Sequence, residues 1–311
     1  MASTRTVLLL GLLALGGCAF GPPLEIESLT GAGTVELQAV PFHPQDDYYC
    51  GPASLLSVLE YSGSEPGMDA LIQRVYLPDR RGSLQVELLA AARHFGRIAY
   101  VLPPEIAAVV AELEAGRPVL VLQNLAIPER PSWHYAVLVG FDADRNRFIL
   151  RSGDRPRLEE PARRWMRQWD WAGRWALVVL KPGELPARPD RDRLLRAVAD
   201  FEIQAEPEAV YRAWQAVLAW DSQEPLAWLG SGNSHYVREQ WTEAIRAYRM
   251  ALESDPAYLP ARLNLARALV RQGRPCEGLE ILSAVTLEPG HRLRETHADL
   301  HRELREACGD R

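Results

Sequence analysis

Two segments of this chain hold the residue types that a thiol-based acyl-transfer site requires. The first is Gln45-Asp46-Asp47-Tyr48-Tyr49-Cys50-Gly51-Pro52-Ala53. Cys50 opens an apolar helical pattern of Leu55, Leu56, Val58 and Leu59, with Pro52 in the first turn, where a missing N–H costs little. Backbone N–H groups and the helix dipole at such a start favour a thiolate and lower the thiol pKa. Gln45 stands five residues earlier, in the loop leading in. Its amide could point a donor at the same space, as an oxyanion hole requires. A nucleophilic Cys also needs a base. Of the seven histidines, only His134 lies in a buried-looking strand of this region, Trp133-His134-Tyr135-Ala136-Val137-Leu138-Val139-Gly140-Phe141.

The third partner follows from hairpin arithmetic. Asp-Ala-Asp-Arg-Asn at 142–146 reads as a turn centred near residue 144, so antiparallel partners sum to about 2 × 144 = 288. Residue 134 then faces residue 154, which is Asp154. Asp144, ten residues up the strand from His134, is roughly 33 Å away at 3.3 Å per residue and cannot orient the ring. Each feature has a bland reading. A lone buried Cys is usually a small hydrophobe, a strand His is usually structural, and Asp154 in Ser152-Gly153-Asp154 could be a turn residue only. Their order and register together favour the site.

The elements around them are mixed. Helical patterns cover residues 83–95 and 104–115, and apolar strand-like runs cover 118–122, 134–141, 148–151 and 175–180. Helices first and strands afterwards suggest an α+β domain over residues 40–181. A Pro-rich charged stretch, 182–190, reads as a linker. From residue 191 to 311 strand signals stop and a period of 34 begins. Val210-Tyr211-Arg212-Ala213-Trp214 aligns with Ala244-Ile245-Arg246-Ala247-Tyr248, and Leu218 and Asp221 with Leu252 and Asp255. That is the tetratricopeptide period. The middle unit resembles this repeat closely through Trp228, Gly232, Tyr236, Ala244, Tyr248, Ala251 and Pro256. The small residues let paired helices approach while the aromatics fill between them. The flanking copies are degenerate.

The pattern around Cys50 resembles the papain-like fold and, more narrowly, the bacterial peptidases that remove double-glycine leaders from bacteriocins. The resemblance rests on Gln-x4-Cys-Gly-Pro-Ala, then a strand His and a later Asp, over about residues 40–180. It implies Gln45 (oxyanion hole), Cys50, His134 and Asp154 as the catalytic set, acting on a peptide or protein substrate. An acyl-transfer enzyme of the same fold, such as a transglutaminase or amidase, stays open. So does an inactive, peptidase-like binding module whose work is done by the repeats, which would dock a protein partner. No cofactor is expected. No Cys/His pair has metal-ligand spacing, and a net charge of −6 gives no basic footprint for nucleic acid.

Residues 7–17 form an eleven-residue apolar or small run after Arg5, too short to span a membrane. Leu15-Gly16-Gly17-Cys18 follows and resembles the bacterial lipoprotein signal. The resemblance implies that residues 1–17 are removed and that Cys18 is acylated. Residues 18–39 would be a tether, and Ala19 after the Cys implies an outer-membrane destination facing the periplasm. Cys276 and Cys308 are candidates for a disulfide in such an oxidising compartment.

Overall fold

The computed structural model describes residues 25–44 and 48–309. In chain order the first part carries β1 (Thr34–Glu36), α1 (Cys50–Tyr61), α2 (Met68–Val75), α3 (Gln85–His94), β2 (Ile98–Val101), α4 (Ile106–Glu114), β3 (Val119–Asn124), β4 (Trp133–Asp142), β5 (Arg147–Ser152), β6 (Arg155–Pro161), α5 (Ala162–Asp170) and β7 (Ala176–Leu180). The strands form one antiparallel sheet in the order β2-β7-β3-β4-β5-β6, with β1 pairing β4. This is the expected α+β architecture. The helices expected at 83–95 and 104–115 are α3 and α4, and the four expected strands are β3, β4, β5 and β7.

β3 and β7 are buried along their whole length, which is why they read as continuous apolar runs rather than alternating ones. The sheet is covered on both faces. Leu120, Leu122, Tyr135, Val137 and Val139 meet Leu55, Leu56 and Leu59 of α1 on one face. Ala136, Leu138, Phe148 and Leu150 meet Trp165 and Trp169 of α5 on the other. α1 is buried from Gly51 to Leu59, so it is a core helix with little polar face.

The second part is helical throughout: α6 (Arg191–Glu202), α7 (Pro207–Trp220), α8 (Pro225–Val237), α9 (Trp241–Ser254), α10 (Leu259–Arg271), α11 (Pro275–Ser283) and α12 (Arg294–Gly309). The repeat is visible in the packing. A Cβ on Gly230 would fall 2.1 Å from Trp214 Nε1, and one on Gly232 would fall 2.4 Å from Tyr248 Cε1. Trp214 and Tyr248 are the aromatics 34 residues apart, so the same device clamps α8 on both sides. Cys276 of α11 and Cys308 of α12 are disulfide-bonded, with Cα atoms 4.9 Å apart.

The stretch 182–190 is not a free tether between these parts. The Ala187 N–H donates to Glu112 Oε1 at 2.7 Å, and the Asp190 N–H to Tyr100 Oη at 3.0 Å. Beyond it, Leu194, Val198 and Phe201 of α6 and Val210, Trp214 and Val217 of α7 belong to the same buried cluster as Tyr100, Val121 and Trp165. Among the described residues no helix is long and apolar enough to cross a membrane. Cys18 and its signal lie outside the described residues, as does Gln45.

Candidate functional site

Cys50 is the first residue of α1, and no side chain caps that end. An uncapped start leaves first-turn N–H groups without helical partners, and Pro52 removes one of them. The sulfur lies against three backbone N–H groups, those of Tyr135, Gly51 and Cys50 itself. The first of these places the thiol beside the peptide that joins His134 to Tyr135, at the start of β4. Burial is the larger effect, however, and pushes the thiol pKa up despite these donors. The resting Cys50 is therefore a neutral thiol. The expectation that the helix start alone would lower its pKa is corrected by desolvation.

Gly51 has a packing role that its sequence position did not announce. A Cβ there would stand 2.5 Å from Ser83 Oγ and 2.7 Å from Ser83 Cβ. Only glycine lets the 82–84 segment close over the helix start. Tyr135 completes the junction: its hydroxyl donates to the Ser83 carbonyl at 3.3 Å and its ring packs edge-on against Trp175.

His134 sits on β4 opposite Gln123 of β3. Its Nε2 lies 2.9 Å from Ser152 Oγ. Burial lowers its pKa to about 4, so the ring is neutral at pH 7. With Nε2 taken by the hydroxyl, Nδ1 is the nitrogen left for proton exchange.

The structure does not bring Asp154 to the imidazole. The expected register holds where β4 meets β5: Val137 pairs Arg151 and Leu138 pairs Leu150, both summing to 288. But β5 ends at Ser152. The chain reverses through Gly153, whose φ is +60°, and Ser152 pairs Arg155 across the turn. Residue 154 is thus past the strand end. Its side chain is 94% exposed and its nearest charge is Arg155, at 3.9 Å. Ser152 holds the position that hairpin arithmetic gave to Asp154. The turn signal Ser-Gly-Asp marks a strand that stops two residues short of Asp154.

The site opens into a cavity of about 460 Å³ lined by Tyr48, Cys50, Arg80, Arg81, Ser83 and Trp133, among others. Trp133, next to His134, is 55% exposed and forms one wall. The opposite wall is the 77–84 segment, to which the sequence gave no functional weight. Among the described residues no three His, Cys, Asp or Glu side chains are placed to hold a metal.

Residues 37–154 match the model of the Peptidase_C39 like family. Residues 208–259 and 238–297 match tetratricopeptide repeat models. Among curated proteins none matches the chain. Similar solved structures include one from Bacillus anthracis described as a C39-like peptidase, 18% identical, covering 48% of this chain and 98% of that one, with a TM-score of 0.41. The peptidase domain of Streptococcus ComA, a bifunctional ABC transporter, is 20% identical over 45% of this chain and 97% of its own, at 0.37. The type III secretion translocator chaperone SycD of Yersinia enterocolitica is 17% identical over 40% of this chain and 88% of its own, at 0.36. The chain thus joins a C39-peptidase-like antiparallel sheet domain to C-terminal helical repeats of tetratricopeptide type.

Proposed function

We propose that this protein is a cysteine peptidase whose helical repeats dock the substrate or a protein partner. The observation that carries the reading is the thiol of Cys50 at the uncapped start of a buried helix, beside the peptide of His134 and open to a cleft. Cys50 would attack a peptide carbonyl while His134 takes its proton through Nδ1 and returns it to the leaving amine. Ser152 would orient the ring through Nε2. The N–H groups at the start of α1, with the Gln45 amide, would hold the oxyanion.

A neutral thiol and a neutral imidazole would set how the cycle begins. No thiolate is stored at rest, so proton transfer accompanies attack instead of preceding it. The same observation favours a second reading, a peptidase-like module that binds peptides without cleaving them. A thiol-directed activity probe, with peptide cleavage followed by mass spectrometry in wild type and Cys50→Ala, separates the two. Turnover in wild type that vanishes in Cys50→Ala supports the peptidase. Equal product from both would end it.

The Leu-Gly-Gly-Cys string further supports a lipid anchor at Cys18 in the bacterial envelope, facing the periplasm. Acylation by more than one chain would hold the protein firmly on a membrane. Cys18→Ser should then move it to the soluble fraction or leave it unprocessed. Unchanged acylation and fractionation in that variant would remove the anchor.

A further inference from the structure

The wall of the cleft facing Trp133 is a short closed turn. Leu77 and Gly82 pair across it, with the Leu77 N–H donating to the Gly82 carbonyl at 2.8 Å. Its tip carries Arg80 and Arg81, both exposed and both lining the same cavity as Cys50. Arg81 has φ +47°. Glycine adopts that left-handed conformation at less cost than an arginine, so the turn itself does not call for Arg81. The guanidinium of Arg81 lies 5.8 Å from the Tyr48 ring centroid at the mouth of the cavity. Among the described residues neither Arg80 nor Arg81 is in an ion pair with a carboxylate. Two residues beyond Arg81, Ser83 Oγ is buried without a hydrogen-bond partner. Two cations therefore line the space beside the thiol.

We propose that this turn is a carboxylate-binding subsite, and that the cleft selects an extended peptide with an acidic group close to the bond held at Cys50. The inference rests on the peptidase reading for the word substrate, but not for the subsite itself. Arginine suits this task because its fork of N–H donors pairs two-pronged with a carboxylate. The acid could be an Asp or Glu side chain or the peptide's own terminal carboxylate.

The test separates subsite from chemistry. The full chain with Cys50→Ala is titrated with fluorescent peptides of one backbone, carrying Glu, Gln or Lys at each of the three positions flanking the centre. Each peptide is made with a free and an amidated C-terminus. The Glu peptides should bind about tenfold more tightly than the Gln peptides, a gap of 1.4 kcal/mol. The preference should shrink with salt and reverse toward Lys in Arg80→Glu/Arg81→Glu, whose exposed sites leave folding intact by circular dichroism. If only the free C-terminus confers the preference, the subsite reads chain ends. Equal binding of Glu and Gln peptides, or a preference untouched by the double charge reversal, overturns the subsite. Acidic preference without cleavage by wild type keeps the subsite and ends the peptidase. Cleavage without charge preference does the opposite.

Discussion

Lowering the pH should weaken this fold through His134, by an amount the structure sets. Burial takes the ring's pKa from an ordinary 6.5 to about 4. The unfolded chain therefore binds a proton between those values that the native protein refuses. Stability rises with pH wherever the unfolded state holds more protons, so it is fully present above about 6.5 and lost as the pH falls toward 4. At about 1.36 kcal/mol per pKa unit, the ring should remove about 2.5 kcal/mol between pH 7 and pH 4.5. A His134→Asn variant keeps a polar side chain but cannot titrate. Urea unfolding followed by tryptophan fluorescence at both pH values, on both proteins, isolates the effect from the carboxylates common to them. The wild type should lose about 2.5 kcal/mol more than the variant. Parallel losses would show that the ring is hydrated and ordinary. On the proposed peptidase reading the same shift would keep His134 neutral as base, so the acid limb of kcat/KM should fall near pH 4 instead of 6.5.

Three other outcomes are expected. Ser152→Ala should lower kcat about tenfold with little change in KM, because it frees the His134 ring, whereas Asp154→Ala should match wild type; the reverse order in steady-state assays would reinstate the carboxylate. Gly232→Ala forces a methyl into the Tyr248 ring and should cost about 1–3 kcal/mol, as overpacking does, seen as a lower urea midpoint; an unchanged midpoint would mean that α8 and α9 can slide apart cheaply. Cys276→Ser with Cys308→Ser opens a loop of 32 residues and should cost about 3–4 kcal/mol on the loop-entropy model, read as faster amide exchange confined to α11 and α12; equal protection there would leave the bond without a stabilising role.

How far the sequence foretold this site differs from element to element. Register was readable because turn residues and alternation both constrain it, and residues 137 and 138 pair as the arithmetic requires. The end of β5 is marked only by the Ser-Gly-Asp turn signal, which competes with the hairpin arithmetic, and one glycine at positive φ decides it. β6 escaped because Arg-Pro-Arg-Leu-Glu-Glu-Pro is an exposed strand with no apolar run. The Trp165 and Trp169 spacing marks a buried face of α5 in a largely polar helix. Local geometry at the helix start points to a lowered thiol pKa; the opposing effect, burial, comes from residues distant in sequence such as Ser83 and has no local signature. The Arg80–Arg81 wall was invisible for the same reason.

The helices α6 and α7 share their apolar surface with the sheet, and this redraws where the protein can be cut. A chain ending at residue 190 would strip Leu194, Val198, Phe201, Trp214 and Val217 from the cluster that includes Tyr100, Val121 and Trp165. The exposed face would be a continuous oily patch of the kind that drives aggregation. The smallest expressible unit bearing the cleft therefore extends into α8, whose Ala227 belongs to the same cluster. Gain or loss of repeats during evolution would be tolerated only beyond that point, so the first helices belong to the core of the sheet domain.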